Sequence, residues 1–230
     1  MSRKVIIYGD SVMKGTVLDK AYRYRTVMAE NLKKFGRMFN IDAENRARFG
    51  VTATGGLSLV KRDLEAGIDA DYALLEFGGN DCNFRWNEIS VNPDKKHEPI
   101  TKMEDFIGAY RAMIGVLRGA GVTPVLMTLP PIDAERYLAF LGRNGNDAKR
   151  ILTWLGDAQM IYRYHEAYSS AVAKLAEEVN APLVDARGYF LYKRNFRDIM
   201  CIDGIHPNEE GYMLVYKAFE DFAGMKLKAA

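Results

Sequence analysis

The chain has 230 residues, 48% of them apolar, which is enough to bury a core without help from disulfides or metals. Its formal charge is only +2 and no dense Lys/Arg run occurs, so nucleic acid is excluded as an expected partner. Cys82 and Cys201 make neither a CxxC pair nor a zinc spacing; they are read as small buried thiols, with no metal site expected.

The N-terminus reads MSRKVIIYGDS, and its apolar stretch from Val5 to Tyr8 is too short for a signal-peptide core or a membrane span. A cytoplasmic protein without a membrane span is expected. Residues 4–8 form the first buried strand, a short and nearly continuous apolar run. Residues 22–35 follow with Tyr22, Val27, Met28, Leu32 and Phe35 at roughly helical spacing, which predicts a helix. A second strand over 41–47 is much more polar (IDAENRA) and belongs at a sheet edge.

The third strand covers 72–77 and the fourth 124–129. Between them, residues 103–119 repeat apolar side chains every three or four positions and stop at Gly119 and Gly121. Another helix is expected over about 160–179, then a fifth strand over 182–185. The last helix starts near Asn208, a good N-cap, with Glu209 and Glu210 in its first turn. Strands alternating with helices predict one α/β domain over 1–230, a three-layer sandwich around a five-stranded parallel sheet. Two long connections, 82–101 and 132–157, break the rhythm and are expected to wall a pocket.

Four turns carry candidate chemistry. Ser11, in YGDS at the carboxyl end of the first strand, would point into the crevice where such sheets bind ligands. A serine hydroxyl needs a base, and His206 in DGIHPNEEGY is the best one in the chain. Asp203 stands three residues upstream, able to hold the imidazole in one tautomer, whereas His97 and His165 have no such setting. Asn80 in FGGND offers an amide donor to a developing oxyanion, and Gly50 in NRARFGVTATGG offers a backbone N–H. A phosphate loop is set aside because neither GK[ST] nor GxGxxG occurs. Each turn alone has an ordinary structural explanation, such as a cap on the last helix for Asp203 and Asn208. Together they fall after strands one, two, three and five, whose ends share one face of the sheet.

With these motifs, the chain resembles the SGNH hydrolases, the GDSL-type esterase/lipase superfamily. Ser11 in GDS, Gly50 in N-x(4)-G-x-T, Asn80 in GGND and His206 in DxxH occur in family order across nearly the whole chain. The one departure is GDSV in place of GDSL, at a packing position. The resemblance implies a flavodoxin-like fold and an oxyanion hole made by the Ser11 and Gly50 N–H groups with the Asn80 side chain. Ser11, His206 and Asp203 would be the catalytic triad. No cofactor is called for. The expected substrate is a small-molecule ester with a short acyl group, such as acetyl on a carbohydrate. The alternatives are a lysophospholipase or thioesterase for longer chains and an inactive binding module. The α/β-hydrolases are excluded by the absence of GxSxG.

Overall fold

The computed structural model describes residues 2–228. From the N-terminus the elements are β1 (Arg3–Gly9), β2 (Thr16–Leu18), β3 (Tyr24–Thr26), α1 (Met28–Phe39), β4 (Ile41–Asn45), α2 (Ala53–Glu65), β5 (Tyr72–Glu76) and α3 (Trp86–Val91). They continue with α4 (Met103–Gly119), β6 (Thr123–Met127), α5 (Ala134–Arg143), α6 (Ala148–Leu155), α7 (Gln159–Glu178), β7 (Leu183–Val184), α8 (Ala186–Leu191) and α9 (Glu209–Lys228).

Five of the strands make one parallel sheet in the order β4-β1-β5-β6-β7. In chain order that is 2-1-3-4-5, the flavodoxin-like winding, whose switch point lies between β1 and β5. All five expected strands are there, and the polar one, β4, is at the edge with alternating burial. Pleating divides the core. Ile6, Tyr8, Leu75 and Leu126 face Val60, Phe106, Tyr110 and Val172 from α2, α4 and α7. Their neighbours Ile7, Leu74, Val125 and Met127 face Leu32, Phe190, Val215 and Phe219 from α1, α8 and α9. A strand's side chains alternate between faces, so continuous apolar runs are what a sheet covered on both sides requires.

One expectation needs correction. The helix expected over 22–35 begins only at Met28, because Tyr24–Thr26 pair antiparallel with Thr16–Leu18 as a small hairpin. Tyr22 sits at φ 59°, a left-handed conformation that no helix continues through. Asp19 holds the turn by accepting from the N–H groups of Ala21 and Arg23. The helix α2, for its part, lies where the sequence pattern predicts none; its Gly55-Gly56 pair hides helical propensity. At Gly56 a Cβ would lie 2.3 Å from the Phe77 ring, so packing demands the glycine.

The two long connections fold into α3, α5 and α6 and share a third apolar cluster, in which Phe84, Trp86, Tyr137, Leu141 and Ile151 are buried. This cluster sits beside the carboxyl ends of β5 and β6. Among the described residues, no helix is long and apolar enough to cross a membrane.

Candidate active site

β1 ends at Gly9, where a Cβ would come within 2.6 Å of Met13 and 2.9 Å of the Glu76 carbonyl. The chain therefore turns sharply there and delivers Asp10 and Ser11 to the switch point, both buried. Asp10 Oδ1 accepts from the Val12 N–H at 2.8 Å, which locks the turn. Its Oδ2 accepts from Asn80 Nδ2 at 3.1 Å, tying the turn after β1 to the turn after β5.

The second half of the site comes from the loop before α9. Asp203 Oδ1 accepts from the backbone N–H groups of Ile205 and His206, both at 3.1 Å. Its Oδ2 lies 2.7 Å from His206 Nδ1. His206 Nε2 lies 2.8 Å from Ser11 Oγ. The Asp203 carboxylate thus fixes Nδ1 as the protonated nitrogen and leaves Nε2 to accept from the serine hydroxyl. This is the arrangement that can raise the nucleophilicity of a hydroxyl. All three side chains are buried.

Distant segments hold that loop in place. Arg136 Nη1 donates to the carbonyls of Arg197, Met200 and Cys201 at 2.9 to 3.1 Å. Gly204 (φ 76°) passes so close to α5 that a Cβ would meet the Asp133 carbonyl at 2.6 Å. Cys201 accepts from the Leu18 N–H at 3.3 Å, linking the β2–β3 hairpin to the base loop. Both cysteines are free and buried, in line with the sequence reading, and burial pushes the Cys201 thiol up to about 11.

The remaining predicted residues are placed differently from one another. Asn80 lines the cleft at Ser11, and its amide donates to Asp10 Oδ2 and to the Val51 carbonyl, each at 3.1 Å. Gly50 lies in the exposed turn after β4 at φ 75°, beside Phe49. Phe49 and Tyr24 are 55% and 52% exposed, and each ring centroid lies 6.1 Å from that of His206. On the opposite side a narrow cleft of about 60 Å³ runs from Ser11 between Phe84, Trp86, Leu129, Tyr137 and Tyr164.

Sequence reasoning missed three features. Asp10 and Glu76 are both buried acids lining this cleft; desolvation first, then their mutual charge, raises Glu76 well above the usual carboxylate range. Desolvation likewise lifts Asp10 to about 6. Tyr24 and Phe49 meet only because the hairpin and the β4 turn flank the same imidazole. His165 and Arg187, treated below, meet across 22 residues of chain.

A doubly wound α/β sheet with a hydroxyl, an imidazole and a carboxylate in line at its switch point defines a class of hydrolase folds. Within it, the chain belongs to the GDSL-like lipase/acylhydrolase family, whose model matches residues 7–214. The protein is therefore a hydrolase of that family. Its fold is similar to that of a lipase/acylhydrolase from Enterococcus faecalis, with 18% identity, TM-score 0.67, and 97% and 96% of the two chains covered. It is similar, too, to a catalytic mutant of an acetylxylan esterase from Geobacillus stearothermophilus, with 19% identity, TM-score 0.67 and coverage of 97% and 96%. A GDSL-like lipase from Bacteroides thetaiotaomicron aligns with 14% identity and TM-score 0.64 over 97% and 89% of the chains. A search of curated proteins by sequence returned no match.

Proposed function

We propose that the protein is a serine esterase acting on small carboxylic esters. The observation that carries this is the unbroken chain from Ser11 Oγ through His206 to Asp203, at 2.8 Å and 2.7 Å, opening on a cleft. His206 takes the Ser11 proton as Oγ attacks the ester carbonyl. The oxyanion is held by the N–H groups of Ser11 and Gly50 and by Asn80, which gives up one of its present acceptors to reach it. The imidazolium, steadied by Asp203, then protonates the departing alcohol. Water follows the same route in reverse and releases the acid.

The two sides of Ser11 argue for the substrate. A narrow cleft of about 60 Å³ walled by aromatic side chains suits a short acyl chain such as acetyl better than a fatty one. The open side, where Tyr24 and Phe49 expose their rings next to His206, suits a bulky alcohol with an apolar face, such as a sugar ring. An acetylated carbohydrate meets both conditions.

The test is hydrolysis of nitrophenyl esters of two to twelve carbons by wild type and Ser11→Ala. Wild type should prefer the shortest esters, and the variant should lose about 10⁴-fold or more in kcat. Equal inactivity of both on every ester overturns the esterase reading.

A further inference from the structure

His165, on α7, lines the same cleft as Ser11 yet plays no part in the chemistry above. It is 4% exposed, and its Nδ1 lies 3.5 Å from Arg187 Nη1. Arginine is always a donor, so Nδ1 accepts and the ring proton sits on Nε2. Arg187 cannot turn away to release it. Its guanidinium donates to the Leu129 carbonyl at 3.1 Å and the Tyr162 hydroxyl at 2.7 Å, pairs with Glu166, and lies over the Tyr162 ring. Among the described residues, the Nε2–H of His165 has no acceptor. Burial and the Arg187 charge hold its imidazole down to about 3, so this donor is uncharged at any working pH.

A buried atom of the cleft, Glu76 Oε2, also lacks a partner among the described residues. The cleft, lined also by Asn80, Asn83 and several apolar side chains, therefore carries two polar groups with unused hydrogen-bonding capacity, and the buried Glu76 oxygen costs free energy until something pairs with it. A donor fixed in orientation by a buried cation is suited to recognising an oxygen acceptor. The acceptor must be uncharged, because a carboxylate buried beside Asp10 and Glu76 would lack a counter-ion, the nearby Arg187 cation being already paired with Glu166. It must also belong to the acyl half, because a bulky alcohol does not fit the enclosed side.

We propose that the protein, read as an esterase, favours, among short acyl groups longer than acetyl, those that carry a hydroxyl, ether or keto oxygen beyond the ester carbonyl, with the His165 Nε2–H as the donor that reads it. Arg187 is the positioning residue, acting through the tautomer of His165.

The experiment compares nitrophenyl methoxyacetate with butyrate, and 3-methoxypropionate with pentanoate, each pair exchanging one oxygen for a CH₂. Every kcat/KM is divided by the ester's rate in hydroxide, which removes intrinsic reactivity. Wild type should then favour the oxygen ester of at least one pair by about three- to tenfold, the worth of one neutral hydrogen bond. His165→Leu should bring that ratio to one. His165→Gln, whose amide can accept from Arg187 and still donate into the cleft, should restore much of it. Wild-type ratios of one for both pairs overturn the proposal, even if His165→Leu does not fold; with Ser11-dependent turnover they leave the esterase intact. A ratio that survives in His165→Leu also overturns it. No Ser11-dependent turnover of any ester overturns both readings.

Discussion

The two sides of the Ser11–His206 pair are built in opposite ways. On one side, α3, α5, α6 and α7 pack a third apolar cluster against the ends of β5 and β6 and leave a narrow, enclosed cleft. On the other, a two-stranded hairpin and the turn after β4 hold Tyr24 and Phe49 in the open beside the imidazole. On the proposed esterase reading, the difference teaches how one reacting centre would treat the two halves of an ester unequally. A narrow, walled side can discriminate by volume and by unpaired polar groups, whereas an open side can only offer surface.

The sharpest break in that comparison is at the boundary between the sides. Asn80 bridges the turn after β5 to Asp10 and to Val51, so it belongs to both. Asn80→Ala should lower kcat by about 10²- to 10³-fold on every ester, whatever its acyl or alcohol part, with far smaller change in KM. A variant that loses activity only on bulky alcohols would place Asn80 on the open side alone.

A smaller effect tests the open side. Replacing Tyr24 and Phe49 together by Ala should raise KM for an acetylated oligosaccharide by about three- to tenfold, and by less for nitrophenyl acetate. Equal changes for both esters would mean that the rings support His206 rather than the alcohol.

The smallest effect concerns stability beneath the enclosed side. Glu76 titrates higher in the folded chain than in the unfolded one, chiefly through desolvation. Above the unfolded value near ~4.5 the folded state therefore holds more protons, and stability falls as pH rises. Glu76→Gln removes this contribution, so thermal melts from pH 5 to 9 should show a flatter decline of Tm for the variant. Parallel curves would mean that Glu76 is already ionised in the fold.

The candidate reacting groups were legible because each sits in a turn with local requirements. Gly9 before Asp10 and Ser11 is demanded by Met13 and the Glu76 carbonyl, and Asp203 reaches His206 within three residues. Such constraints write themselves into short motifs. The helix over Met103–Gly119 was legible for a related reason, since one buried stripe gives one clean period. The hairpin was not, because Val27, Met28, Leu32 and Phe35 continue a pattern that the left-handed Tyr22 interrupts. Nor was α2, whose glycines serve packing on Phe77 rather than helix formation.

From the sequence alone came the α/β class, the five strands, the edge position of β4, and the residues Ser11, Asn80, Asp203 and His206. Each of those rests on backbone period or turn chemistry, which act over a few neighbouring residues. Only the tertiary structure decided that Tyr24 and Phe49 flank the imidazole, that Trp86 and Tyr137 line the cleft, and that Arg187 meets His165. Those contacts join segments far apart in the chain, and they come into being when the sheet order and the packing of its covering helices bring the segments together.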